Sequence, residues 1–166
     1  MRGRLLIFSG IPGCGKTTIA KLVGGAAGNA ILIQTDNVRM MLAHPSYSSA
    51  ESRFVYDACF GIAKEALKNG YLVMLDGTFM REEYRSEAKN ELKRYYSRAD
   101  VVWVYCPLET ALRRNSRRKA VVPPEKVEGM FRGFEAPRRA VKIDTSRLSP
   151  KAAAQRILRE LSLRRR

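Results

Sequence analysis

The chain has 166 residues, about one domain's worth, and its 45% hydrophobic and 28% charged residues support a buried core and exclude a disordered or fibrous protein. Lys and Arg number 31 against 16 Asp and Glu, a formal net charge of +15 that favours anionic partners such as nucleotides, nucleic acid or an acidic surface. No stretch approaches the ~18 apolar residues needed to span a bilayer, and the 3 scattered cysteines, with no C-x-x-C pair, argue against a disulfide framework or zinc site and for a reducing cytoplasm.

The opening Met1–Phe8 begins like a signal peptide, but its apolar run stops at Ser9-Gly10, too short for one. Leu5–Phe8 is instead predicted to be a strand. It is followed by Gly10-Ile11-Pro12-Gly13-Cys14-Gly15-Lys16-Thr17-Thr18, which fits G-x-x-x-x-G-K-[ST], and by a helix over Lys16–Ala27. Ala30–Ile33 reads as the second strand. Phe54, Ala58, Ile62 and Ala66 recur every four residues and predict a helix buried along that row, ending at Asn69-Gly70. Leu72–Leu75 is the third strand, and Tyr84, Ala88, Leu92 and Tyr95 mark the next helix. Val101–Tyr105 is the fourth strand, Ala140–Ile143 a fifth, and Ser149-Pro150 caps a last helix whose Ile157, Leu158 and Leu161 face inward. The strands lack period-2 alternation, as expected when both faces are buried. The alternation of strands and helices predicts a three-layer α/β/α fold with a five-stranded, largely parallel sheet in a single domain over residues 1–166. The basic stretch within residues 107–136, with Pro123-Pro124 and few large apolar residues, reads as a lid over phosphates or as a solvated helical hairpin.

The chemistry follows from residue type and place. Glycines at Gly10, Gly13 and Gly15 let the backbone N–H groups of a loop running through Pro12 and Cys14 converge on phosphate at the positive end of the following helix. Lys16 would neutralise phosphate oxygens, and the Thr17 hydroxyl would hold Mg²⁺, with Thr18 beside it. Asp76 ends the third strand on the side where ligands bind, as a carboxylate for the Mg²⁺ shell or as a turn cap for Gly77-Thr78. Asp36 and Arg39 sit about one helical turn apart after the second strand, so one carboxylate could meet an attacking hydroxyl and one cation could clamp the acceptor. An N-cap Asp followed by a solvated Arg has the same spacing. Arg113/Arg117 and Arg114/Arg118 form two interleaved pairs on one expected helix, and spacing alone does not choose between them. His44, the lone histidine, precedes a proline in a polar loop and reads as surface.

Together these residues resemble the P-loop kinases that include polynucleotide 5′-hydroxyl kinases, zeta-toxin-like kinases and the kinase that phosphorylates seryl-tRNA. The resemblance spans nearly the whole chain. It rests on Gly10–Thr18, Asp36-x-x-Arg39, Leu75–Phe79, Cys106–Glu109, Arg114-Asn115-x-x-Arg118 and Phe134-Glu135-x-Pro137. It implies ATP and Mg²⁺ as cofactors, Asp36 as general base, Arg39 at the acceptor, Asp76 near metal and acceptor, and Arg114 and Arg118 as lid arginines. Asp36–Arg39 and Cys106–Glu109 are also similar to adenylylsulfate kinase, but Asp76-Gly77-Thr78 and the lid depart from that family. The lid over Val122–Pro137 looks closest to the seryl-tRNA kinase, which carries a further tRNA-binding domain that is not seen after the last helix here. No Asn-Lys-x-Asp sequence occurs, which argues against a guanine-reading GTPase, and motor ATPases place neither Asp36 nor Arg39 where this chain does. The expected reaction is therefore transfer of the γ-phosphoryl group of ATP to an alcohol, a nucleic-acid 5′-hydroxyl or a nucleotide-like one. Arg138, Arg139 and Arg164–Arg166 would supply excess charge for an anionic acceptor.

Overall fold

The computed structural model describes residues 2–46, 48–118 and 120–163. Five strands, β1 (Gly3–Ser9), β2 (Ala30–Gln34), β3 (Leu72–Asp76), β4 (Tyr96–Tyr105) and β5 (Val141–Asp144), form one sheet in the order β2-β3-β1-β4-β5. Every pairing is parallel. The helices are α1 (Lys16–Ala27), α2 (Thr35–Arg39), α3 (Ser49–Lys68), α4 (Glu82–Leu92), α5 (Leu108–Asn115), α6 (Pro124–Arg132) and α7 (Pro150–Glu160). Side chains of the central strand β1 alternate between two cores. Leu6 and Phe8 pack with Ile19, Val23 and Ile157 of α1 and α7 on one face. Leu5 and Ile7 pack with Val55, Cys59 and Ala63 of α3 and Ala88 of α4 on the other. This two-sided burial makes three layers and leaves the carboxyl ends of the strands along one edge, where the loops collect.

The departures from expectation have local causes. In α3 the buried row is Val55, Cys59, Ala63 and Ala66, while Phe54 and Ile62 are 57% and 48% exposed. A strict four-residue repeat drifts about 40° per step around a 3.6-residue helix, so a straight buried stripe must mix steps of four and three. In α4 the stripe runs through Arg85, Ala88 and Leu92, and the helix ends before Tyr95. Strand β4 starts at Tyr96, ahead of the apolar run, because its polar first half pairs with the start of β1. At the sheet edge β5 buries Val141 and Ile143 but exposes Lys142, so it alternates where the central strands do not. The expected single helix through Arg113–Arg118 stops at Asn115. There a buried amide donates to the Val122 carbonyl at 2.7 Å and accepts from the Val122 N–H, reversing the chain. Arg117 and Arg118 therefore lie in the turn beyond α5. The terminal Arg164–Arg166 lies outside the described residues. Among the described residues no helix is long and apolar enough to cross a membrane.

Candidate active site

The loop between β1 and α1 is fixed by close approach as much as by its own turns. Gly13 has φ +84°, and a Cβ there would stand 2.2 Å from the Ala111 carbonyl oxygen of α5. Gly15 adopts a left-handed conformation as the residue before α1, so the helix begins with no side-chain cap and its free N–H groups face the loop's hollow. Below the loop, the Ser9 hydroxyl donates to the Phe79 carbonyl at 3.0 Å, and the Gly10 N–H donates to the Thr78 carbonyl at 3.1 Å. Lys16 folds back over the loop, its Nζ donating to the Ile11 carbonyl at 3.0 Å. Pro12 and Cys14 are buried, and Thr18 is exposed on the outer side of α1. Burial also pushes the Cys14 thiol above its ordinary value.

Asp76 reaches this loop from the end of β3. The Thr17 hydroxyl donates to its Oδ2 at 2.5 Å, and the Gln34 amide at the end of β2 donates to the same oxygen at 3.4 Å. Burial raises the Asp76 pKa, the nearby Lys16 ammonium and the Thr17 hydroxyl oppose that rise, and the Asp36 carboxylate adds to it. Asp36 and Asp76 thus feel one another across the cleft. A hydroxyl and a buried carboxylate on one point, in a field that penalises the bare anion, is a donor set suited to a hard divalent cation. Thr17 and Asp76 fit Mg²⁺ on these grounds.

Asp36 sits in the first turn of α2 with its side chain 77% exposed, 3.6 Å from the Arg118 Nη2 beyond α5. The residue before α2 is Gln34, so Asp36 is not its N-cap. Arg39 turns the other way. It forms an ion pair with Glu51 of α3 and donates to the Ser52 hydroxyl at 3.1 Å. Asp36 and Arg39 share a helical turn but bond to different elements. Of the two arginine pairs, Arg113 and Arg117 are exposed, whereas Arg114 and Arg118 turn inward. Arg114 donates to the Thr145 hydroxyl at 2.8 Å and to its carbonyl at 3.0 Å, and that hydroxyl donates to the Cys14 carbonyl at 3.0 Å. Arg114 and Arg118 therefore bond at opposite ends of the cleft, to Thr145 and to Asp36. His44 is exposed in its loop.

Three residues here escaped the reading of the sequence. Gln34 and Thr145 stand just at the carboxyl ends of β2 and β5, a position that the rule for parallel sheets could have flagged. Arg85 is fully buried, donating to the Phe79 carbonyl at 2.7 Å, the Glu135 carbonyl at 2.8 Å and the Glu82 carboxylate. Its spacing from Ala88 and Leu92 placed it on the buried stripe, but its charge hid it.

Sheet order, glycine loop and the Thr17–Asp76 contact together are those of the P-loop kinase fold. The chain belongs to the AAA domain family, whose model matches residues 5–137. It is 27% identical over 137 residues to the L-seryl-tRNA(Sec) kinase of Methanococcus maripaludis, an alignment covering 80% of this chain and 53% of that relative. The chain thus spans about half the length of that relative. Among solved structures it resembles the APS kinase of Mycobacterium tuberculosis in complex with AMPPNP and APS, with a TM-score of 0.78, 22% identity and coverage of 97% and 98% of the two chains. It also resembles a chain of the Pnkp1/Rnl/Hen1 RNA repair complex, with a TM-score of 0.70, 21% identity, and coverage of 85% of this chain and 50% of that one. Identities this low establish the shared fold.

Proposed function

We propose that the protein is an ATP-dependent kinase that transfers the γ-phosphoryl group to an alcohol carried on a nucleic acid, a terminal hydroxyl or the hydroxyl of an aminoacylated end. The observation that carries this reading is Asp36. It is an exposed carboxylate at the mouth of the cleft, electrostatically coupled to Asp76 and in reach of an inward arginine. The loop N–H groups and Lys16, released from the Ile11 carbonyl, bind the β- and γ-phosphates. Mg²⁺ held by Thr17 and Asp76 would screen the phosphate charge. Arg114, anchored through Thr145 to the loop at Cys14, guards the nucleotide side. Asp36 accepts the proton of the acceptor hydroxyl as the new P–O bond forms and the bond from the γ-phosphorus to the β–γ bridging oxygen breaks, ADP leaving, and Arg118, beside it, meets the charge on the transferring group. Arg39, tied to Glu51, orients α2 so that Asp36 faces the cleft, and shapes the acceptor side from below.

The acceptor class is supported by the net charge of +15 and by the seryl-tRNA kinase relative. The test is a screen of γ-labelled ATP and Mg²⁺ against 5′-hydroxyl oligonucleotides, seryl-tRNA, adenylylsulfate and simple sugars. Label on either nucleic acid is the expected result. Label on adenylylsulfate alone would replace this reading with that of a small-molecule kinase.

A further inference from the structure

On the sheet face that carries α4, Val101 of β4 packs with Ala88 and Leu92, while farther along the strand Trp103 meets Phe134. There Trp103 lies 4.6 Å from Tyr105 and 6.0 Å from Phe134, ring centroid to centroid, nearly parallel to the latter. All three rings are half-buried, and neither Trp103 nor Tyr105 joins either core. Lys142, opposite Trp103 in the β4–β5 register, holds its ammonium 5.9 Å over the indole. The strip continues into a cavity of about 540 Å³ walled by α4, Val101 and residues 135–139, with Lys89, Arg138 and Arg139 on its rim.

The charges on this face are unbalanced. Glu82 is occupied by Arg85, the Glu135 carboxylate accepts the Glu82 N–H, and Asp144 is held by Ser146 and Arg147. Lys89, Arg138, Arg139 and Lys142 form no ion pair with any described residue. Partly exposed aromatic rings beside cations that form no ion pair are what a flexible polyanion with stacking faces requires. The strip ends at Tyr105, the carboxyl end of β4, and so points toward the edge of the sheet that carries the cleft. The fully bonded Arg85 joins the two regions, since it ties the cavity wall at Glu135 to Phe79 below the P-loop.

We propose that this strip binds a single-stranded nucleic acid segment, with a base on Tyr105 and phosphates on Lys142, Arg138 and Arg139, outside the catalytic cleft. The proposal rests on the nucleic-acid reading of the acceptor, whose substrate it would hold several nucleotides from the reacting hydroxyl. Trp103 is the single tryptophan, so its emission reports the strip directly. The experiment titrates the full chain with a 5′-hydroxyl RNA of about 12 nucleotides, following both tryptophan emission and anisotropy of a 3′ label over a salt series. RNA should quench Trp103, and a Lys142→Gln, Arg138→Gln, Arg139→Gln variant should lower the steepness of the log–log salt dependence by about 2, at about 0.7 per phosphate contact. Tyr105→Leu should weaken binding about five- to a hundredfold while the circular dichroism melt stays near that of the parent. Phosphorylation of a short mononucleoside acceptor should survive in the charge variant. RNA binding with unchanged Trp103 emission and unaffected variants would overturn the strip and leave the kinase reading standing. Quenching without transfer to any hydroxyl would keep the strip and remove the kinase. Equal quenching by polyglutamate would show an unselective anion surface and overturn the proposal.

Discussion

The two ends of the cleft are built by different means. On the nucleotide side almost every group is buried or bonded: Gly13 against Ala111, Thr17 to Asp76, Thr145 to both Cys14 and Arg114. On the acceptor side Asp36 projects into solvent, and Met40 and Met41 just after α2 are 65% and 83% exposed. In the proposed reading the first is a preformed cradle for phosphate, and the second is an open surface that the acceptor would complete. That surface is held from beneath by Arg39, which ties α2 to Glu51 and Ser52 of α3.

That tie offers the largest effect on stability. Arg39 and Glu51 have side chains only 12% and 9% exposed, so Arg39→Ala removes a buried cation from beside Glu51 and should cost about 3 kcal/mol, a melting point about 6 °C lower or more. The acceptor KM should rise with it, while ATP affinity stays. A melting point equal to the parent's would make Arg39 a surface residue. On the other side, Lys16→Ala should weaken ATP binding about ten- to a hundredfold by calorimetry, with the melting point of the apoprotein little changed. Gly13→Ala should combine both losses. A left-handed backbone and a blocked Cβ cost more than about 1 kcal/mol, and loosening the cradle from α5 should lower ATP affinity as well. Stability unaffected by this change would show that the loop can shift away from α5.

Much of this division could be read from the chain. The P-loop was fully legible because backbone geometry demands glycines at fixed spacing, and α1 begins and ends where the pattern put it. The strands over Leu5–Phe8 and Leu72–Leu75 were legible as buried apolar runs. Residues whose role depends on remote partners were not. Nothing near Arg39 announced Glu51, and nothing near Arg114 announced Thr145, which lies 31 positions on. Arg85 was concealed because a charge on an apolar stripe is normally a break in it, and only the carbonyls of Phe79 and Glu135 make its burial affordable.

The smallest expected effect concerns the core beneath the acceptor side. Burial pushes the Cys59 thiol up to about 11 from 9.0. Its neutral form is favoured in the folded state, so the associated stability is complete below about pH 9 and is lost as pH rises towards 11. The melting point should fall over that window, and Cys59→Ala should fall less steeply relative to its own value at neutral pH. Identical slopes would assign the alkaline loss elsewhere, for instance to Tyr56, which burial pushes up to about 12.

The most direct test of the division of labour is Asp36→Asn, assayed for ATP affinity and for phosphoryl transfer to the best acceptor from the screen. Removing a general base should cut turnover about 10²–10⁴-fold at saturating acceptor while calorimetric ATP·Mg²⁺ affinity stays within about twofold of the parent. Full turnover by Asp36→Asn would take the acceptor side out of the chemistry and contradict the account.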